Sequence, residues 1–328
     1  MQNNSRILTL YKILSEYSDE KHPLSMVDIL TKMDEFNAGC SEDSVFRYMN
    51  QLRNDLGIDI ISVKGRGAKY FIGERLFQLE ELKLLIDAVN ASNFIEKNIA
   101  RDIANKLKST ISIYERKSID RTILGINVTK AENKMILYNV NAIQEAIDYN
   151  KQISFDYFHW NKEKKLVKIK DKKYSINPWA LIWANDKYYL FGYDTCETEG
   201  KYKARNYRVD KIKNISMLET QRECGDQFRK FNANTYVSQN IGMWSLDSKY
   251  IIATIPDDII GVFIDQFGKK IDIKDNENGT LDIGFKAVPQ KSFYGWLMGL
   301  GKVKINSPKE VKEKYLELIN QNLKYQKE

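Results

Sequence analysis

Residues 174–212 constrain the fold of this chain more than any other stretch. They read YSINPWALIWANDKYYLFGYD, then a polar loop, then RNYRVDKI. Apolar and aromatic residues flank Asn185-Asp186 on both sides, which predicts a strand, a tight turn and a second strand. A third β-like segment follows, with Arg205 and Arg208 around Tyr207. Side chains alternate along a strand, so Arg205 and Tyr207 belong on one face and Arg208 on the other. An edge bulge or strand end would return both arginines to one rim. Guanidinium forks among flat rings suit a ligand carrying phosphates and bases. The same residues also fit a small barrel core of Trp179, Leu181, Trp183, Tyr189 and Phe191, with its arginines simply solvated.

Length sets the context for that segment. A chain of 328 residues with 43% hydrophobic content holds several compact units with real cores. Its three cysteines, Cys40, Cys196 and Cys224, are far apart and lack metal or disulfide spacing. Two histidines are too few for a His-rich centre, so neither metal nor cofactor is expected. Lys12 and Glu16 interrupt the N-terminal apolar residues, so no signal-peptide core is read. No run of about 18 apolar residues occurs, and the expectation is a cytoplasmic protein with no membrane span.

The chain opens with helical spacing at Ile7, Leu10, Leu14 and Tyr17. Ser25 is placed to cap a second helix through Val27, Ile29, Leu30 and Met33. Cys40-Ser41 precedes a third, with an apolar stripe at Val45, Met49, Leu52 and Leu56, stopped by Gly57. Two strands, 58–62 and 69–72, flank Lys64-Gly65-Arg66-Gly67. Three short helices and a two-stranded wing predict a winged helix-turn-helix over residues 1–74. Its third helix offers Ser44, Arg47, Tyr48, Gln51 and Asn54 to a DNA groove, and Lys64, Arg66 and Lys69 sit in or beside the wing. The module carries nine basic against eleven acidic residues, so a wing serving only as a protein contact is the competing reading.

Residues 75–135 read as all-helical, with stripes at Leu76, Leu79, Leu82, Leu85, Ile86 and Val89 and at Ile95, Ile99, Ile103 and Leu107. They are expected to space two domains and to contribute to a homodimer, because helix-turn-helix readers grip two-fold sites. A monomeric helical core explains the same stripes. A short helix at Ile143, Ala146 and Ile147 leads into the barrel region, 136–218. Within it, residues 161–173 hold seven lysines against two acids, a solvated loop or a funnel for a polyanion. Residues 219–248 read as a linker. From 249 to 328 the order is strand, helix, strand, strand, helix, strand and a final helix capped at Ser307-Pro308-Lys309-Glu310. That βαββαβ order suggests a ferredoxin-like layer.

Several ordered segments resemble the WYL domain of bacterial transcriptional regulators. The namesake triplet reads Tyr188-Tyr189-Leu190, the Pro-aromatic step is Pro178-Trp179, and the R-x-F-R-L-D-R-I strand reads Arg205-Asn206-Tyr207-Arg208-Val209-Asp210-Lys211-Ile212. An earlier I-x-F-x-Y strand matches Ile153-Ser154-Phe155-Asp156-Tyr157. Ser41-x-x-Ser44-Val45-x-Arg47 is similar to the third helix of the winged modules that accompany such domains, with Asp43 and Tyr48 departing from the pattern. Phe293-Tyr294-Gly295-Trp296 followed by Ser307-Pro308 resembles the C-terminal extension called WCX.

The resemblance implies an α+β multidomain chain whose middle is an Sm-like, strongly bent five-stranded barrel. It implies a transcriptional regulator with a double-stranded DNA operator, a single-stranded nucleic-acid or nucleotide effector, and links to phage defence or DNA damage. Arg205 and Arg208 would then hold phosphates, Tyr157 and Trp179 would stack on bases, and His159 would add a polar contact. Lys211 replaces the family arginine, keeping charge without the planar fork. The rival reading is an accessory protein that holds single-stranded RNA or DNA through the barrel and has no operator. Catalysis is not expected, since no P-loop, G-x-S-x-G, H-E-x-x-H or dinucleotide fingerprint is present and Asp257-Asp258 sit at a helix start.

Overall fold

A computed structural model describes residues 2–65, 67–120, 130, 133–194, 203–229, 232–243 and 248–327. The chain divides into two compact units, Met1–Lys134 and Met135–Glu328. In the first, α1 (Gln2–Tyr17) buries Leu10, Ile13 and Leu14. A two-residue strand, β1 (Leu24–Ser25), leads straight into α2 (Met26–Glu35). Ser25 closes a capping box there, its Oγ accepting from Asp28 N while Asp28 Oδ2 accepts from Ser25 N at 2.9 Å. Ile29 and Met33 face inward. Val27 stands two residues before Ile29, hence on the opposite side of the helix, and is 72% exposed.

Ser41 caps α3 (Glu42–Leu56), and Gly57 ends it at φ 67°, a conformation that costs other residues a Cβ clash. Val45, Tyr48, Met49 and Leu52 are buried at spacings of three and four. Leu56, predicted as the fourth rung of the stripe, lies in the last turn and is exposed. The wing strands are β2 (Ile60–Val63) and β3 (Lys69–Ile72). Because Leu24 and Ser25 pair with Tyr70 and Lys69, the sheet gains a third strand in the order β1-β3-β2. Next come α4 (Leu79–Ala91), α5 (Lys97–Lys108) and α6 (Ile113–Asp120). The buried side of α5 is Ala100 and Ala104 rather than the predicted isoleucines, which are half-covered; small residues let α5 approach Leu82 and Ile86 of α4 closely.

Polar contacts fasten these helices to the end of α1. Arg75 donates to the carbonyls of Ser15 at 3.0 Å and Ser18 at 2.5 Å. Asp19, with its side chain buried, accepts from Ser112 Oγ at 2.5 Å and from His22 Nδ1 and N at 2.8 Å each. His22 in turn stacks on Tyr114 at 4.0 Å.

The second unit begins with α7 (Ile136–Asp148), whose Asn139 Nδ2 donates to Ile212 O at 2.8 Å. Its sheet comprises β4 (Lys151–Trp160), β5 (Leu166–Lys168), β6 (Tyr174–Ala184), β7 (Lys187–Asp194), β8 (Ala204–Arg208) and β9 (Ile212–Gln221). The order is β5-β4-β6-β7-β8, with β9 on β4. One 3₁₀ turn, Val209–Lys211, carries β8 into β9, so strands pairing at opposite ends of the sheet are consecutive in the chain and the sheet curls. The resemblance implied five strands. The sixth, β5, forms inside the lysine-rich segment, where Leu166-Val167 folds back along Phe158–Trp160. Asn185 and Asp186 both take positive φ, 49° and 55°, as a two-residue turn of that hand requires. At Gly192 an added Cβ would overlap the carbonyl oxygen of Asn177 on β6, so only glycine admits this approach.

The predicted linker instead packs on this sheet. It contains α8 (Gly225–Arg229) and α9 (Ala233–Gln239), and Cys224, Phe228, Tyr236 and Met243 join Trp179, Phe191 and Tyr193 in one apolar cluster. The remaining elements are β10 (Lys249–Pro256), α10 (Ile260–Phe267), β11 (Asp272–Asp275), β12 (Thr280–Ala287), α11 (Lys291–Gly299), β13 (Lys304–Ser307) and α12 (Lys309–Lys327). Their antiparallel sheet runs β11-β12-β10-β13 and buries one face beneath Phe263, Phe293 and Leu297.

Candidate functional site

In the curled sheet, β4, β6 and β8 bring four rings together. Phe155 and Tyr207 meet edge-on at 5.2 Å, Tyr157 and Tyr207 at 5.1 Å, and Tyr174 and Tyr207 at 5.5 Å. Tyr174 also stacks flat on Phe155 at 5.8 Å. These edge-to-face pairings satisfy the rings with one another. Phe155 is fully buried and Tyr207 nearly so. Burial raises both the Tyr157 hydroxyl, to about 12, and the Tyr207 hydroxyl.

The arginines stand at two sides of this cluster. Arg205 Nε donates to Asp194 Oδ2 at 2.9 Å, and Tyr207 Oη donates to Asp194 Oδ1 at 3.0 Å. The Asp194 hydrogen bond raises the Arg205 pKa, and Tyr174 and Tyr207 are its other electrostatic neighbours. Arg208 forks onto Asp210, Nε to Oδ1 at 3.1 Å and Nη2 to Oδ2 at 2.7 Å. Burial works against its charge, but Asp210 outweighs it and the pKa is raised, with Tyr189 and Tyr157 nearby. Tyr157 Oη accepts from Arg208 N at 3.0 Å. Each guanidinium is therefore held by a carboxylate two residues away or one strand over, and each side chain stays about two-fifths exposed. Remaining donors of the forks are what a ligand phosphate would take.

The structure thus gathers Tyr157, Arg205 and Arg208 and corrects the rest of the set. Tyr157 is half-buried and meets three rings edge-on, those of Phe155, Tyr174 and Tyr207, so it is part of the packed cluster. Trp179 belongs to the other aromatic cluster: it stacks on Phe228 at 4.8 Å, donates Nε1 to Glu223 O at 2.8 Å and lies under Arg222. A bulge between Pro178 and Ala180 turns it there. His159 is exposed on β4, opposite Val167. Lys211 is buried, with Nζ 4.5 Å from the Trp160 ring.

That last contact belongs to a surface the motif reading missed. Lys213 Nζ lies 4.8 Å from the Phe158 ring and Lys170 Nζ 3.7 Å from Tyr174, while Trp160 remains 45% exposed. Phe158 and Trp160 share a parity on β4, and Lys211 and Lys213 share one after β8; that double alternation was the signal. Lys168 Nζ is tied to Asp156 at 2.9 Å, whose carboxyl Asn214 and Lys168 hold below its ordinary value.

On α3, Arg47, Gln51 and Asn54 are exposed and Ser44 is half-buried against the Ser41 cap. Tyr48, predicted to face outward, is 1% exposed, because it stands three residues after Val45 on the inward stripe. Arg53, unnoticed in the motif, donates Nε and Nη2 to Ile60 O and ties α3 to β2. Lys64 and Lys69 are exposed, and Arg66 lies outside the described residues. Elsewhere in the first unit a cavity of about 810 Å³ opens beside Asp19, His22, Arg75 and Tyr114; none of the predicted site residues lines it. Among the described residues no group of three or more His, Cys, Asp or Glu could hold a metal ion, and no helix is long and apolar enough to cross a membrane.

The curled sheet thus carries both arginines on β8, next to the turn that leads into β9. Residues 138–217 match the family model of the WYL domain, so this part of the chain is a WYL domain. Among solved structures it is similar to proteasome accessory factor B/C (PafBC) of Arthrobacter aurescens, with 17% identity over 95% of this chain and a TM-score of 0.28. The chain spans 45% of the length of that structure. It is also similar to a CRISPR Cas-related protein, with 12% identity, coverage of 99% of this chain and 85% of that one, and a TM-score of 0.37. No curated protein matches it.

Proposed function

We propose that the chain is a DNA-binding transcriptional regulator whose WYL domain senses a single-stranded nucleic acid or nucleotide. The observation that carries this reading is the pairing of Arg205 and Arg208 with local carboxylates at the border of the ring cluster, in the segment that matches the family. Such pairing orients a fork without sealing it, which suits exchange of a carboxylate for a phosphate. In this reading residues 1–74 are a winged helix-turn-helix that presents Arg47, Gln51 and Asn54 to a major groove, with Lys64 and Lys69 on flanking phosphates. Residues 75–135 space the domains and help form a homodimer, 136–218 form the Sm-like sensor, and 249–328 form a ferredoxin-like WCX layer. The protein acts in the cytoplasm by binding, without catalysis and without a metal or cofactor, and phage defence or DNA damage is the setting the resemblance implies. Effector occupancy changes operator affinity by favouring one of two arrangements of the subunits, which requires unequal affinity for the two.

One observation favours the accessory reading as the alternative: with Tyr48 buried and Arg53 tied to Ile60 O, α3 offers Arg47 as its exposed cation among the described residues. Selection of bound sequences from random duplex DNA by the full chain decides between them. A regulator enriches a two-fold repeated motif. Enrichment of single strands with no duplex motif would overturn the operator and leave the accessory protein.

A further inference from the structure

Among the described residues, helices cover one face of the β11-β12-β10-β13 sheet. Ile251, Ala253 and Ile255 point into the core, so Tyr250, Ile252 and Thr254 point away from it. Tyr250 is 47% exposed and Ile252 37%, and no described helix covers them. Gly284 stands opposite Ile252 on β12, and a Cβ added there would overlap the Tyr250 hydroxyl and ring end. The phenol therefore reaches across the sheet with its hydroxyl end over Gly284, its ring stays half-exposed, and its hydroxyl donates to Asp272 on β11.

Around this ring the charges are divided unevenly. The two carboxylates of the open face each have a hydroxyl donor, Asp272 from Tyr250 and Asp282 from Thr254 Oγ1 at 2.6 Å. Thr254 Oγ1 is itself fixed by Asn306 Nδ2 at 2.8 Å. Three exposed lysines surround them, Lys274 opposite Asp282, Lys286 opposite Tyr250 and Lys304 opposite Thr254. A half-exposed ring reaching over a sheet, an aliphatic neighbour and lysines on three strands of that sheet match the way open antiparallel sheets hold unpaired bases and their phosphates.

We propose that this open face is a second nucleic-acid surface, taking a single strand with one base stacked on Tyr250 and its phosphates on Lys274, Lys286 and Lys304. It stands independently of the arginines on β8. The competing explanation is that Tyr250 only shields Gly284, as aromatic residues do for glycines in sheets.

The test uses the full chain and a fluorescent oligo(dT) containing 4-thiothymidine, followed by ultraviolet cross-linking and tryptic mass spectrometry. Trypsin releases Tyr250 in a peptide running from Tyr250 to Lys269, and Tyr157 in one from Gln152 to Lys162. Cross-links to the Tyr250 peptide are expected. Tyr250→Leu should remove them and weaken binding about fivefold or more, while Tyr250→Phe keeps both. Replacing the three lysines together by glutamine should flatten the salt dependence of binding. Cross-links confined to the Tyr157 peptide would overturn this surface while sparing the barrel. So would a Tyr250→Leu protein that melts earlier yet binds as well as the parent, or a lysine triple variant with unaltered salt dependence.

Discussion

The outward face of α3 and the rim of β8 both present arginine, but they hold it differently. Arg47 stands exposed on α3, its guanidinium carbon 5.4 Å from the ring of the buried Tyr48. Arg205 and Arg208 are clasped by Asp194 and Asp210 within the sheet that presents them. An exposed cation contributes little to folding and is free to meet a phosphate. A clasped one is already oriented, contributes to stability, and must exchange partners to bind. The lesson is that substitutions on α3 should separate affinity from stability, whereas substitutions at β8 should move both.

The largest effect that would break this contrast is expected beneath the rim. Phe155→Ala removes a fully buried ring from the cluster that supports both arginines and should cost about 3–5 kcal/mol in urea unfolding. A loss under about 1 kcal/mol would mean the rings do not support the rim. On α3, Arg47→Ala should weaken duplex binding by about 1–3 kcal/mol if it reads a base, and leave the urea midpoint unchanged. Equal binding by parent and variant would remove Arg47 from the interface.

Arg208→Ala removes the fork from Asp210, whose side chain is 11% exposed. Since the arginine itself is partly solvated, the expected stability loss is about 1–2 kcal/mol, alongside a lost response to an oligonucleotide in titration. Intact stability with intact binding would show that the clasp does neither job.

The smallest effect concerns acid. Burial opposes the charge of Asp19, yet hydrogen bonds from Ser112 and His22 and the charge of His22 outweigh it and lower its pKa below 3.8. A depressed carboxylate adds stability above its unfolded pKa and loses it as pH falls through the folded one. Asp19→Asn should therefore flatten the stability profile below about pH 4 and leave it parallel to the parent near neutrality. An unchanged acid limb would show that the Ser112 and His22 contacts do not favour the charged form.

Much of this fold was legible because local chemistry and tertiary packing agree. Ser25, Ser41 and Gly57 cap where their side chains or lack of one dictate, and the Asn185-Asp186 turn lies between its strands. The strand–helix sequence of residues 249–327 was likewise readable from alternation. What failed depended on contacts far away in sequence. Tyr48 was read from a motif position although its spacing from Val45 placed it inward. Trp179 was grouped with Tyr157 by residue type, whereas a one-residue bulge sends it to Phe228 and Tyr236. The partners of the arginines were invisible as partners, even though Asp210 sits two residues from Arg208, because nothing local distinguishes a clasping aspartate from a solvated one.

Asp210 occupies the middle of the three-residue turn that joins β8 to β9, and these strands pair on opposite sides of the curl. The acid that steadies Arg208 is thus also a stitch in the seam of the domain. Any anion that takes the end of that guanidinium competes for the stitch itself. Occupancy would be felt as slack or tension between the two borders of the sheet, with no separate messenger needed to carry the news away from the ligand.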